Sequence, residues 1–201
     1  GALKWKLDGD GSKIIAPIAE GPDGNYYASS ENGNLLILDS ATGTLRSKIH
    51  LGKATAWGTM AVDSERLYVA TIEHSVYAVN FQSGKTDWSV TLGASIAGGV
   101  TLVDEKLMVG TFAGKVIALD AQTGKTLWEV KTDGWAWQAP VAAGDSLFAT
   151  DLGGTLRALA ASDGAPQWSQ KLGAPIQAAP AVDGGIVFIG TATGEVRAFS
   201  A

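Results

Sequence analysis

One unit of about forty residues is copied along this chain, and a fixed period of that size dictates the architecture before any single residue does. The segment Ala118–Trp128 reads ALDAQTGKTLW. It recurs as AVNFQSGKTDW at Ala78–Trp88, as ALAASDGAPQW at Ala158–Trp168 and, more loosely, as ILDSATGTLR at Ile37–Arg46. The turn glycines Gly43, Gly84, Gly124 and Gly164 stand 41, 40 and 40 residues apart. The N-terminal GALKW matches the second half of the unit, with Gly1 and Trp5 in the places of Gly124 and Trp128. The C-terminal GEVRAFSA, Gly194–Ala201, matches the first half. Joined, the two ends make a fifth unit, which is how a ring shares its last sheet between its first and last strands.

Inside each unit the apolar pattern is that of short strands separated by turn residues, as in LYVATI, SVYAVN and TDWSVTL between Leu67 and Leu92. No stretch carries a helical stripe. Four strands per unit, repeated radially, predict an all-β, five-bladed β-propeller of four-stranded antiparallel blades spanning residues 1–201 as one domain. Pairing of the terminal strands, Leu3–Leu7 beside Glu195–Ser200, is expected to close it and to leave no long open edge. Alanine and glycine crowd the innermost segments Ala94–Val100 and Ala174–Ala181, which suits strands packed around a narrow axis.

Composition removes several function classes. A net charge of −5, with no lysine or arginine cluster, offers no track for a phosphate backbone and argues against nucleic acid. No apolar run reaches the roughly 18 residues that span a bilayer, and the first fifteen residues lack a signal-peptide pattern. With no cysteine the chain has neither disulfides nor thiolate metal sites.

The run Ala118, Asp120, Thr123, Gly124, Lys125, Trp128 matches at every defined position the tryptophan-docking motif of the pyrroloquinoline-quinone-like propeller repeats, and the whole chain resembles that family. The resemblance implies that Trp5, Trp88, Trp128 and Trp168 pack between neighbouring blades and that Gly1, Gly43, Gly84, Gly124 and Gly164 make the turns before the fourth strands. Arg46 stands where the second unit should carry tryptophan. The family includes quinoprotein dehydrogenases, the lipoprotein of the outer-membrane β-barrel assembly machinery, and many sensors and scaffolds. The dehydrogenases hold their quinone in a funnel with calcium, a catalytic aspartate and usually a vicinal disulfide. This sequence has no cysteine pair and no long loops for such a funnel, so no cofactor is expected. A WD40 propeller is disfavoured, because no Trp-Asp dipeptide occurs.

Catalytic material is sparse. Only His50 and His74 are available for a relay or a histidine metal site. Asp8-Gly-Asp10-Gly-Ser12 opens like a calcium loop, but Lys13 takes the place of the loop glycine and no glutamate closes it, so a polar turn is the reading and no metal is assigned. Aligning the loops that enter each innermost strand is more informative. Where the other units carry Ser12, Lys53, Ser95 and Pro175, one carries Trp135; beside Ile14, Thr55, Ala97 and Gln177 stands Trp137. Trp57 stands among Ala16, Gly99, Ala139 and Ala179. These three tryptophans, with Gln138 and Gln177, either form a stacking platform at the axis for a protein partner or small ligand, or fill space between blades.

The sequence therefore points to a non-catalytic binding or scaffolding module, expected to be monomeric and without a membrane span. The family resemblance implies a bacterial periplasmic or extracellular setting. A quinoprotein-type oxidoreductase, or a fragment of one, is the first alternative; an outer-membrane assembly factor, or the sensor domain of a larger exported protein, is the second.

Overall fold

The computed structural model describes residues 1–201, in nineteen strands with no helix. Five antiparallel sheets take these strands in chain order. Blade 1 holds β1 (Ala19–Glu20), β2 (Asn25–Ser29), β3 (Asn34–Asp39) and β4 (Leu45–His50). Blade 2 holds β5 (Ala61–Val62), β6 (Arg66–Ala70), β7 (Ser75–Asn80) and β8 (Lys85–Thr91). Blade 3 holds β9 (Thr101–Val103), β10 (Lys106–Thr111), β11 (Lys115–Asp120) and β12 (Thr126–Lys131). Blade 4 holds β13 (Val141–Ala143), β14 (Ser146–Thr150), β15 (Thr155–Ala160) and β16 (Pro166–Lys171). Blade 5 has only β17 (Ala181–Asp183), β18 (Ile186–Gly190) and β19 (Val196–Ser200). The innermost strands touch in sequence, β1 to β5 to β9 to β13 to β17, and so line the inside of the array.

The middle strands are apolar on both faces because both faces are covered. Leu107, Met108 and Val109 of β10 are all buried, as are Val116 through Leu119 of β11. Such a continuous run marks a strand packed between two layers. The core is accordingly divided by junction: Tyr68, Val76, Val109 and Leu119 share one cluster between blades 2 and 3, while Phe148, Leu156, Val187 and Ile189 share another between blades 4 and 5.

The repeat motif acts at these junctions. Asp120 accepts hydrogen bonds from the Thr123 amide and hydroxyl, both at 2.7 Å, and so folds the turn before β12. Gly124 then sits at φ 72°, a backbone that side-chain-bearing residues rarely adopt, and a Cβ there would meet the Trp88 ring at 2.7 Å. Trp88 lies on this glycine from the preceding blade, its Nε1 donating to Ala121 O at 3.1 Å. Trp128 packs on Gly164 with its Nε1 buried and without a hydrogen-bond partner, and Trp5 packs on Gly43, with Trp5 Nε1 donating to Ser40 O at 3.1 Å. The register corrects the place given to Arg46: Ser47 faces Ile37 as Trp128 faces Ala118, so serine holds the docking position, and Arg46 one residue earlier turns back to Asp39. That junction is filled by Ile49, in ordinary contact with Gly84, and by Phe81, whose ring lies 6.0 Å from Tyr27.

The terminal strands do not pair, which corrects the expected closure. Residues 1–8 belong to no strand, and β19 has β18 as its one neighbour. No contact as extensive as those between consecutive innermost strands returns from β17 to β1. The far face of blade 5 is bare in consequence. Phe188 is 39% exposed and Val196 78%, whereas their counterparts Phe148, Met108, Tyr68 and Tyr27, and Leu156, Val116, Val76 and Leu35, are each at 0%. Covering one such pair contributes on the order of 3 kcal/mol or more, a stabilisation that blade 5 lacks. Residues 1–8 are held to blade 1 through Trp5 on Gly43 and Ser40, and the outer edge of β19 stays unpaired. The five blades form an open arc.

Candidate binding site on the inner rim

The loops that enter the innermost strands meet edge to edge. Thr59 bridges Gly99 and Gly98 bridges Gln138 in parallel pairs. Gly58 and Gly98 abut the backbone of the next blade so closely that a Cβ on either would collide with main-chain atoms, which explains the small residues there. Gln138 Nε2 donates to Gln177 O at 3.0 Å, and Thr101 Oγ1 donates to Pro140 O. Four successive loops are thereby stitched into one rim.

A hollow of about 280 Å³ opens on this rim, lined by Ile15 and Pro17 from blade 1, Trp57 and Thr59 from blade 2, Ala97 from blade 3, and Trp137 with Gln138 from blade 4. The structure thus brings together Trp57, Trp137 and Gln138, with Gln177 hydrogen-bonded at the edge. Trp57 is 41% exposed. Trp135 does not line the hollow. Its indole stacks on Phe112 at 4.8 Å and 9°, and Trp137 stacks on the same ring at 5.0 Å and 26°. Phe112 is the residue that sequence alignment of the loops missed, because it belongs to the turn between β10 and β11 and not to an entering loop.

The loop carrying both tryptophans is held by charge. Asp151, fully buried, accepts from the Asp133 amide at 3.1 Å and pairs with Arg157. Arg157 also reaches Asp133 at 2.9 Å, and Thr155 Oγ1 donates to Asp133 at 2.7 Å. The Thr155 hydroxyl and then the Arg157 guanidinium hold the Asp133 carboxyl below its ordinary range. No other blade has an aspartate at the position of Asp151, where Ser30, Thr71, Thr111 and Thr191 stand. That single-unit departure was readable in the repeat alignment.

The remaining candidates are engaged elsewhere. His50 Nδ1 lies 3.0 Å from Asn34 Oδ1, and His74 occupies a turn at φ 73°. Asp10 receives donors from Ser30, Asn34 and Ser12, which depress its pKa and use its oxygens in anchoring the loop to blade 1. The largest cavity, about 520 Å³, lies at the other end of the strands between blades 2 and 3. Its charged groups are spent on local structure: Asp63 accepts from Tyr68 Oη at 2.6 Å, and Arg66 pairs with Asp87 at 2.7 Å. The rim hollow itself carries no charged side chain, and no three His, Cys, Asp or Glu residues gather anywhere to hold a metal ion. An anionic quinone with its divalent ion finds no suitable donors among these residues. What the hollow offers is aromatic stacking, apolar contact and amide hydrogen bonds.

The fold superposes on BamB from Moraxella catarrhalis with a TM-score of 0.80 at 19% identity, over 94% of this chain and 62% of that one. It superposes on the quinohemoprotein alcohol dehydrogenase ADHIIG from Pseudomonas putida HK5 with a TM-score of 0.73 at 19% identity, over 99% of this chain and 44% of that one. At such identities the likeness is one of fold, and the chain spans 62% and 44% of the two lengths. No curated protein matches by sequence. A family model described as outer membrane protein assembly factor BamB matches residues 31–135 and 113–201, well over half of the chain. The chain therefore belongs to the pyrroloquinoline-quinone-like propeller-repeat family, through the family model that carries the BamB description.

Proposed function

We propose that this chain is a non-catalytic interaction module that holds a segment of a partner protein against its inner rim. The observation that carries this reading is the uncharged hollow between Trp57 and Trp137, with Gln138 at its edge. Tryptophan supplies large contact area at little entropic cost, and partly exposed tryptophans ringed by small residues are where binding energy concentrates. The amide of Gln138, already oriented by Gln177, adds a fixed polar contact. Trp135, stacked on Phe112, supports the platform from behind. Kinship with a family named for outer-membrane protein assembly favours a protein partner over a small ligand, and a periplasmic or extracellular setting. The quinoprotein reading draws on shared fold alone, and fold carries little functional weight. No cofactor is part of this proposal.

The test is capture of a partner from a bacterial envelope extract by wild-type chain and by a Trp57→Ala/Trp137→Ala variant. The double variant should lose the captured protein while its thermal midpoint falls by less than about 4 °C. Undiminished capture contradicts the reading, and a large fall in midpoint assigns both tryptophans to packing.

A further inference from the structure

Around the rim hollow the acceptors are engaged and the indole donors are free. Thr59 O accepts from the Val100 amide at 2.9 Å, and Gln177 O accepts from Gln138 Nε2 at 3.0 Å. Gly98 O receives the Thr59 hydroxyl. The tryptophans differ by place. Trp5 and Trp88, at the blade junctions, donate their Nε1 groups to Ser40 O and Ala121 O. Trp57 and Trp137, which line the hollow, donate to nothing in the chain, and Trp137 Nε1 is not enclosed by its neighbours.

An occupant has to match this surface in charge and in hydrogen bonding. The hollow has no charged side chain, so a charged group entering it would lose its water without gaining a partner. An ordinary extended peptide brings one backbone N–H per residue, and an N–H buried without an acceptor is costly. Proline brings none. It offers carbonyls, which free indole N–H groups can serve, and an apolar ring that packs on a tryptophan face. Its φ is preset, so a proline tract is already ordered as a polyproline II helix and loses little entropy on docking. The rim is ordered too, because the Thr59–Gly99 and Gly98–Gln138 bridges tie its loops together.

Given that the hollow holds a segment of a partner protein, as proposed above, we infer that this segment is uncharged, rich in proline and bound as a polyproline II helix. Its proline rings lie against Trp57 and Trp137, and its carbonyls accept from the two Nε1 groups. Phe112, stacked on Trp137 at 5.0 Å, fixes that ring for the contact. The oxygen of the Gln138 amide, whose nitrogen is engaged with Gln177, takes the N–H of a non-proline residue at the edge of the tract.

The test is calorimetric titration of the full chain with acetyl-decaproline amide, beside a neutral peptide of the same length in which serine and leucine alternate. The proline peptide should bind about tenfold more tightly than the serine–leucine peptide. Trp57→Phe and Trp137→Phe keep an aromatic ring and remove the N–H. Each should weaken proline binding about three- to tenfold and leave the thermal midpoint within about 2 °C of wild type. Absence of proline binding, equal binding of the serine–leucine peptide, or full affinity in both phenylalanine variants overturns the inference. If the Trp57→Ala/Trp137→Ala variant loses its captured envelope protein while decaproline fails to bind wild type, the proline assignment falls and the partner reading stands. Undiminished capture by that variant removes the partner reading, and the proline assignment with it.

Discussion

At the scale of single residues, the repeat motif is a set of mechanical parts. Asp120 and Thr123 fold the turn, Gly124 supplies the left-handed backbone, and Trp88 of the preceding blade rests on it. Gly124→Ala should therefore destabilise the chain by about 2–3 kcal/mol, combining the left-handed penalty with collision against Trp88, as read from the denaturation midpoint. His74 is the counterpart of Gly33, Gly114, Gly154 and Gly194, and it holds the same positive φ with a side chain attached. Replacing it with glycine should raise stability by about 0.5–1 kcal/mol. A loss of stability on that change would show that the imidazole makes a contact worth more than the backbone strain.

At the scale of elements, the loop from Thr132 to Pro140 sets the site, and it depends on a charged knot in a single blade. Asp151→Ala should cost about 3 kcal/mol, because it leaves Arg157, itself largely covered, with Asp133 alone. Asp133 gives the loop a pH dependence. Its folded pKa is depressed, so its contribution is full above the unfolded value of about 3.9 and is lost as pH falls through the folded value. Near-ultraviolet dichroism of the Trp135–Phe112–Trp137 stack should fade across that acid window, and Asp133→Asn should remove the part of the change that belongs to this carboxylate. The strands, turns and docking pattern were legible because each repeats, and a departure from the repeat exposed Trp57, Trp135 and Trp137. Phe112 was hidden because a phenylalanine in a turn is unremarkable until the next blade's loop is seen folded over it. The split between Trp137, which lines the hollow, and Trp135, which stacks behind it, depends on side-chain direction, which spacing in an irregular loop does not encode.

At the scale of the whole molecule, the count of repeats was readable and their closure was not. Matching halves of one motif at the two ends predict a shared sheet, and the structure leaves both halves unpaired. Trp5, Trp88 and Trp128 join neighbouring blades through their contacts with Gly43, Gly124 and Gly164. Because the chain has no cysteine, a single engineered pair reports on closure directly. Leu156 faces Gln170 in blade 4, and the matching positions of the divided blade are Val196 and Leu7. Facing residues of paired strands lie about 4.5–5.5 Å apart, within disulfide reach. Oxidation of a Leu7→Cys/Val196→Cys chain, followed by mass determination without reductant, should leave the monomer without an internal disulfide. A monomer carrying an internal disulfide would mean that five blades close on themselves, and would contradict the open arc.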